Sequence, residues 1–206
     1  MKNKILFAAL GATALAMLGA CTQPSSEANA QNLTAAMNAY LARRGDLCLG
    51  KDKWPVDVPA REVGTRARNA VQMPVLEHIG LVSATTANVE ASGDTPATTV
   101  TRYMLTDEGK KYFIAHEMPG QGAHADFCAA HLTLDKVVGW EAQKDSKDPS
   151  EIVVTYTYKI DAAPWTGDAD VQKAFPMVDR VVRGAGTMQL KQNFKHTESG
   201  WVAGGI

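Results

Sequence analysis

The chain has 206 residues, a formal net charge of -1 and 21% charged residues. That balance excludes the strongly basic surface of a polyanion binder and the like-charged tract of an acidic tail. Apolar residues make up 45% of the chain, enough for an ordinary buried core and too many for a disordered one.

Lys2 and Lys4 open the sequence, and residues 5–18 form an uncharged run rich in Ala and Leu. At about 14 residues the run is too short to cross a bilayer as a helix, but it has the length of a signal-peptide apolar region. Leu18-Gly19-Ala20-Cys21 follows directly. This tetrapeptide resembles the lipobox of bacterial lipoprotein signal peptides. The resemblance implies that residues 1–20 are removed and that Cys21 is acylated, anchoring the chain in a lipid bilayer. With Thr22 rather than Asp after the cysteine, it also implies sorting to the outer membrane, facing the periplasm. A competing site, Ala28-Asn29-Ala30, has the small-x-small form of an ordinary signal peptidase site. Cleavage after Ala30 would release a soluble periplasmic chain, but that site lies ten residues beyond the apolar run.

With Cys21 committed to lipid or removed, Cys48 and Cys128 remain. An even pair in an oxidising compartment reads first as a disulfide and second as two buried free thiols.

Residues 21–31 read as the acylated cysteine and a flexible tether. Asn32 is a candidate N-cap for an amphipathic helix on Leu33, Ala36, Met37, Tyr40 and Leu41, ended by Gly45. A loop around Trp54-Pro55 follows. Residues 61–78 predict two short helices divided near Met73-Pro74, with Gly80 as the stop. Residues 81–90 and 98–105, rich in Thr and Val, flank a turn at residues 91–96 and read as a hairpin. Thr106 caps a further helix carrying Asp107, Glu108, Lys110, Tyr112 and Phe113.

Two phrases in this region carry a second resemblance. Residues 76–82 (LEHIGLV) and 103–109 (YMLTDEG) resemble parts of a winged helix-turn-helix domain. The first matches its third helix with the first wing strand, the second its other wing strand with the closing helix. The resemblance covers about 80 residues and implies a winged-helix-like subdomain over residues 32–117. Duplex binding requires several neutralised phosphates, whereas residues 33–115 hold ten Lys/Arg against nine Asp/Glu. The region therefore reads as scaffold, with no nucleic-acid partner.

Residues 118–125, with Pro119 and several glycines, read as a linker into a second subdomain over residues 118–206. Leu132, Leu134, Val138 and Trp140 alternate with Thr133, Asp135 and Val137. Ile152, Val154, Tyr156, Tyr158 and Ile160 alternate with Val153, Thr155, Thr157 and Lys159, and Met188, Leu190 and Phe194 with Gln189, Lys191, Asn193 and Lys195. Period two over such lengths means half-buried antiparallel strands. Residues 198–200 turn into a last short strand, and Val171, Ala174, Phe175 and Val178 mark a short helix interrupted at Pro176. The fold class is α+β: a winged-helix-like helical subdomain with a hairpin wing, then an antiparallel sheet with one short helix.

Candidate chemistry is sparse. On a helix, His124 and Cys128 would share a face, with His131 three residues on and His116 upstream, a spacing that can hold zinc. That small zinc-binding periplasmic protein is the alternative reading, and a Cys48–Cys128 bridge would abolish it. No cofactor motif and no catalytic signature stands out. Tryptophans are enriched in binding hot spots. Trp165, on an expected connection, is therefore the first candidate for contact with an envelope protein or cell-wall partner, with Trp140, Tyr156 and Tyr158 beside it. The expectation is a non-enzymatic, membrane-anchored envelope protein with a binding or structural role.

Overall fold

The computed structural model describes residues 27–91, 97–118, 122–144, 148 and 150–204. The signal region, Cys21, most of the tether and the wing turn at residues 92–96 lie outside the described residues. The chain folds as α+β, with a six-stranded and a three-stranded antiparallel sheet.

The first helix, α1 (Ala30–Arg44), begins earlier than expected. Asn29, extended at φ -133, is the cap, and its side chain accepts from the Asn32 N–H at 2.9 Å. Leu33, Met37 and Leu41 fall on one stripe and are buried, while Arg43 and Arg44 complement the negative end of the helix dipole. The following loop contains two short strands with no periodicity to betray them, β1 (Asp46–Cys48) and β2 (Val56–Pro59).

The pair of helices expected over residues 61–78 is instead one 3-10 turn (Ala60–Glu62) and one continuous α2 (Arg68–His78) with Pro74 inside it. Proline removes one helical hydrogen bond. Here it sits on the exposed side, so the orphaned carbonyl can be hydrated, while Gln72, Met73 and Leu76 hold the other face in the core. The hairpin forms as β3 (Val82–Val89) and β4 (Thr98–Leu105), paired from Val82↔Leu105 to Val89↔Thr98. Strand β2 adds to the other edge of β4.

Thr106 caps α3 (Asp107–Lys110) by accepting from the Gly109 N–H. The helix then stops, and Phe113 opens β5 (Phe113–Met118), which pairs back on β6 (Gly122–Ala142). The described residues of the expected linker, 118 and 122–125, are therefore strand; residues 119–121 lie outside the described residues. Main-chain pairing on β6 overrides the turn-forming composition there.

The 21-residue β6 is the spine of the molecule. It continues to β7 (Glu151–Ala162), β8 (Leu190–Thr197) and β9 (Gly200–Ala203), in the order β1-β6-β7-β8-β9. The period-two pattern of β6 is interrupted twice, between Leu134 and Lys136 and between Val137 and Gly139. Each bulge flips the faces. Val137 therefore packs on the core, whereas Val138 is 46% exposed. Between β7 and β8 the chain forms a 3-10 turn (Pro164–Gly167) and two helices, α4 (Ala169–Ala174) and α5 (Pro176–Arg183), with Pro176 at the start of α5.

Two cores sit along this spine. One gathers Val58, Met73, Leu76, Leu81, Phe127, Trp165 and Phe175, so α4 and α5 from the C-terminal half pack with α2 and the three-stranded sheet. The other gathers Leu33, Met37, Leu132, Val154, Tyr158 and Phe194, with α1 laid on the larger sheet. Helix α1 thus packs with the C-terminal strands rather than beside α2. Leu47 touches both cores.

Candidate functional site

The most distinctive chemistry lies in a cleft of about 480 Å³ lined by the loop after β1, the 3-10 turn at Glu62 and the start of α2. Three devices hold that loop. Cys48 and Cys128, register partners on β1 and β6, form a disulfide. Two residues before Cys128, the Asp126 carboxylate accepts from the Gly50 N–H at 3.1 Å and the Lys51 N–H at 2.6 Å, and from its neighbour Phe127 at 2.7 Å. The Arg68 guanidinium donates to the Leu49 carbonyl. Gly50 takes φ +67, a left-handed conformation that a glycine adopts at no steric cost.

Clamped this way, the loop turns Lys51 inward. Only 4% of the residue is exposed, and its Nζ donates to Asn69 Oδ1 at 2.7 Å. Burial, then repulsion from Arg68, pushes the ammonium down to about 8, with Asp126 acting in the opposite direction. On the cleft wall, Asp57 is held by Arg102 through two hydrogen bonds of 2.8 and 2.7 Å. Those hydrogen bonds keep the Asp57 carboxyl below its ordinary range. Next to the cleft, Trp54 packs on Phe127 and donates from Nε1 to the Lys51 carbonyl.

The residues singled out in the sequence are scattered. Cys48 and Cys128 meet as a disulfide. The zinc reading is thereby overturned, since a bridged sulfur is not a thiolate ligand. His124 and His131 lie on strand β6 rather than a helix, with His124 exposed and His131 Nδ1 2.8 Å from Asp46 Oδ1. No group of metal-ligating side chains occurs among the described residues.

Trp165 is a core residue, not a surface anchor. It packs edge-on to Tyr112 and against Phe127 at 5.8 Å between ring centroids. The 3-10 turn that carries it folds inward, which its place on a connection did not reveal. Tyr156 and Tyr158 are buried on the α1 face of β7, where burial raises the Tyr156 hydroxyl to about 12. Tyr158 donates to the Val181 carbonyl at 2.6 Å. Of the four aromatic candidates only Trp140, 41% exposed on β6, offers surface to a partner.

Sequence reading missed Lys51. Its only local signal is Gly50 directly before it, which does not say that the amine points inward.

No protein-family description, curated protein or solved structure matches the chain.

Proposed function

We propose that the chain is a lipid-anchored protein of the bacterial envelope with a binding or structural role rather than a catalytic one. The observation that carries this reading is Leu18-Gly19-Ala20-Cys21 placed directly behind a short apolar run and two lysines. The lipid bilayer is its first partner, through acylated Cys21 on the periplasmic side of the outer membrane. An envelope protein or cell-wall component is the second.

Two features support it. A Cys48–Cys128 disulfide suits an oxidising compartment. Asn29 caps α1 and Ala28 packs on its core, so cleavage after Ala30 would strip the helix of its cap, whereas processing at Cys21 leaves it whole. We read the end of α2 with β3, β4 and α3 as a winged-helix-like scaffold, on the resemblance of residues 76–82 and 103–109. Its balanced charge supports no nucleic-acid partner. On the β subdomain, Trp140 and Val138 are the exposed apolar residues of β6 that a protein partner would meet.

The test is metabolic labelling with radioactive palmitate, followed by membrane fractionation and N-terminal mass spectrometry. Label on Cys21 in the outer-membrane fraction, lost in Cys21→Ala, is the expected result. A soluble, unlabelled chain beginning at Gln31 would overturn it.

A further inference from the structure

We infer that the Lys51 cleft binds a single compact oxyanion, a carboxylate or phosphate group of a small molecule, between the Lys51 ammonium and the Arg68 guanidinium. This names a ligand for the binding role proposed above and does not depend on the anchor, so its failure leaves the palmitate result untouched.

An incomplete cation is the starting observation. An ammonium carries three donors and a guanidinium five. Buried Lys51 uses one donor, on Asn69, and Arg68 is seen donating only to the Leu49 carbonyl. A buried charge is ordinarily paired, because leaving water is costly. Yet among the described residues no carboxylate oxygen lies within 4.0 Å of the buried Lys51 ammonium, and exposed Arg68 on the same cleft has none either.

The surrounding acids are committed or peripheral. Asp126 gives its oxygens to three main-chain N–H groups. Asp57 is taken by Arg102. Asp52 is exposed and Glu62 half-buried on the cleft wall. Two cations therefore line one cleft, Arg68 repelling Lys51, and neither is in an ion pair with a described carboxylate. Lys53 adds a third positive charge to the lining.

The cleft they face supplies the space. Its volume of about 480 Å³ suits a small molecule. Asp52 and Glu62 would repel a second negative charge carried further along the ligand, which favours one compact oxyanion over a polyanion. The bound group would accept hydrogen bonds from Lys51 Nζ and Arg68 together, replacing mutual repulsion by charge-assisted pairing.

The pH dependence follows. The anion binds the charged form of Lys51, so affinity is lost as pH rises through about 8. Acetate does not itself titrate in that range, and its affinity should fall about tenfold from pH 7 to 9.

The purified chain is titrated with acetate and, separately, inorganic phosphate, with chloride as the ionic-strength control, following the Gly50, Lys51 and Asn69 amide resonances. Saturable shifts with one or both oxyanions, absent in Lys51→Met and weakened in Arg68→Gln, are expected, and the stronger responder identifies the group. Shifts no larger than those of chloride overturn the inference. So does saturation that survives in folded Lys51→Met. If that variant does not fold, unchanged acetate affinity in Arg68→Gln overturns it.

Discussion

Lys51 is a residue that the fold holds against its own preference. A lysine is ordinarily half-protonated near pH 10.4, and burial beside Arg68 brings this one to about 8. Between those two values the unfolded chain binds a proton that the native chain has released, so stability rises with pH across that window. Below about pH 8 both states carry the charge, and the native state bears the full burden of burying it. In oxyanion-free buffer, Lys51→Met should therefore abolish a pH-dependent gain of up to about 3 kcal/mol. Urea unfolding of both proteins at pH 7 and pH 10 checks this. Equal pH responses in the two would show that the ammonium is solvated after all. The same residue was invisible to sequence reading. Burial of one lysine depends on Asp126, which binds its main-chain N–H from 75 positions away.

At the scale of elements, the junction between the hairpin and α3 leaves no room for a side chain at Gly109. A methyl added at Gly109 would run into the Leu81 carbonyl oxygen and crowd Leu105. That carbonyl cannot retreat, because it accepts from both the Thr106 N–H and the Thr106 hydroxyl at 3.1 Å. Alanine in a helix gains about 0.5–1 kcal/mol over glycine, while overpacking of a fixed site costs about 1–3 kcal/mol. Gly109→Ala should thus be destabilising by about 1 kcal/mol, seen as a lower denaturant midpoint with an unchanged slope. A midpoint equal to the native one would show that α3 can shift freely. Where elements were legible in the sequence, they were long or strongly patterned: α1, β3, β4 and β7; the one short helix expected around Pro176 is instead two, α4 and α5. Strands β1 and β2 escaped because three or four residues carry no periodicity. Strand β5 escaped because Tyr112 and Phe113 extend a helical-looking run, and its identity comes from pairing with β6.

The whole molecule is two cores threaded on one strand, and the disulfide ties β1 to that strand. Cys48–Cys128 closes a sequence separation of 80 residues, which in the chain-entropy account stabilises the fold by about 4 kcal/mol. The double variant Cys48→Ala/Cys128→Ala should lose about that much, measured by urea unfolding without reductant. It should also release the loop that carries Lys51, seen as faster hydrogen exchange at the Gly50 and Lys51 amides. Loss of less than about 1 kcal/mol would mean that Asp126 and the β1–β6 ladder hold this region alone.

What the sequence by itself determined is local: the apolar run ending at Cys21, the apolar stripe of α1, the Thr/Val hairpin and the alternating strands. Each of those signals is complete within a few residues, because side-chain periodicity and turn chemistry act over one or two turns of chain. Even the disulfide was legible, since only two cysteines remained to pair. Tertiary structure alone decided that α1 covers the C-terminal sheet, that α4 and α5 join the core of α2, and that Trp165 points inward. It also decided that the acid at position 126 turns Lys51 into a cleft beside Arg68. Those outcomes depend on which apolar faces find each other and on which main-chain N–H groups a distant carboxylate satisfies. Neither is encoded by spacing along the chain.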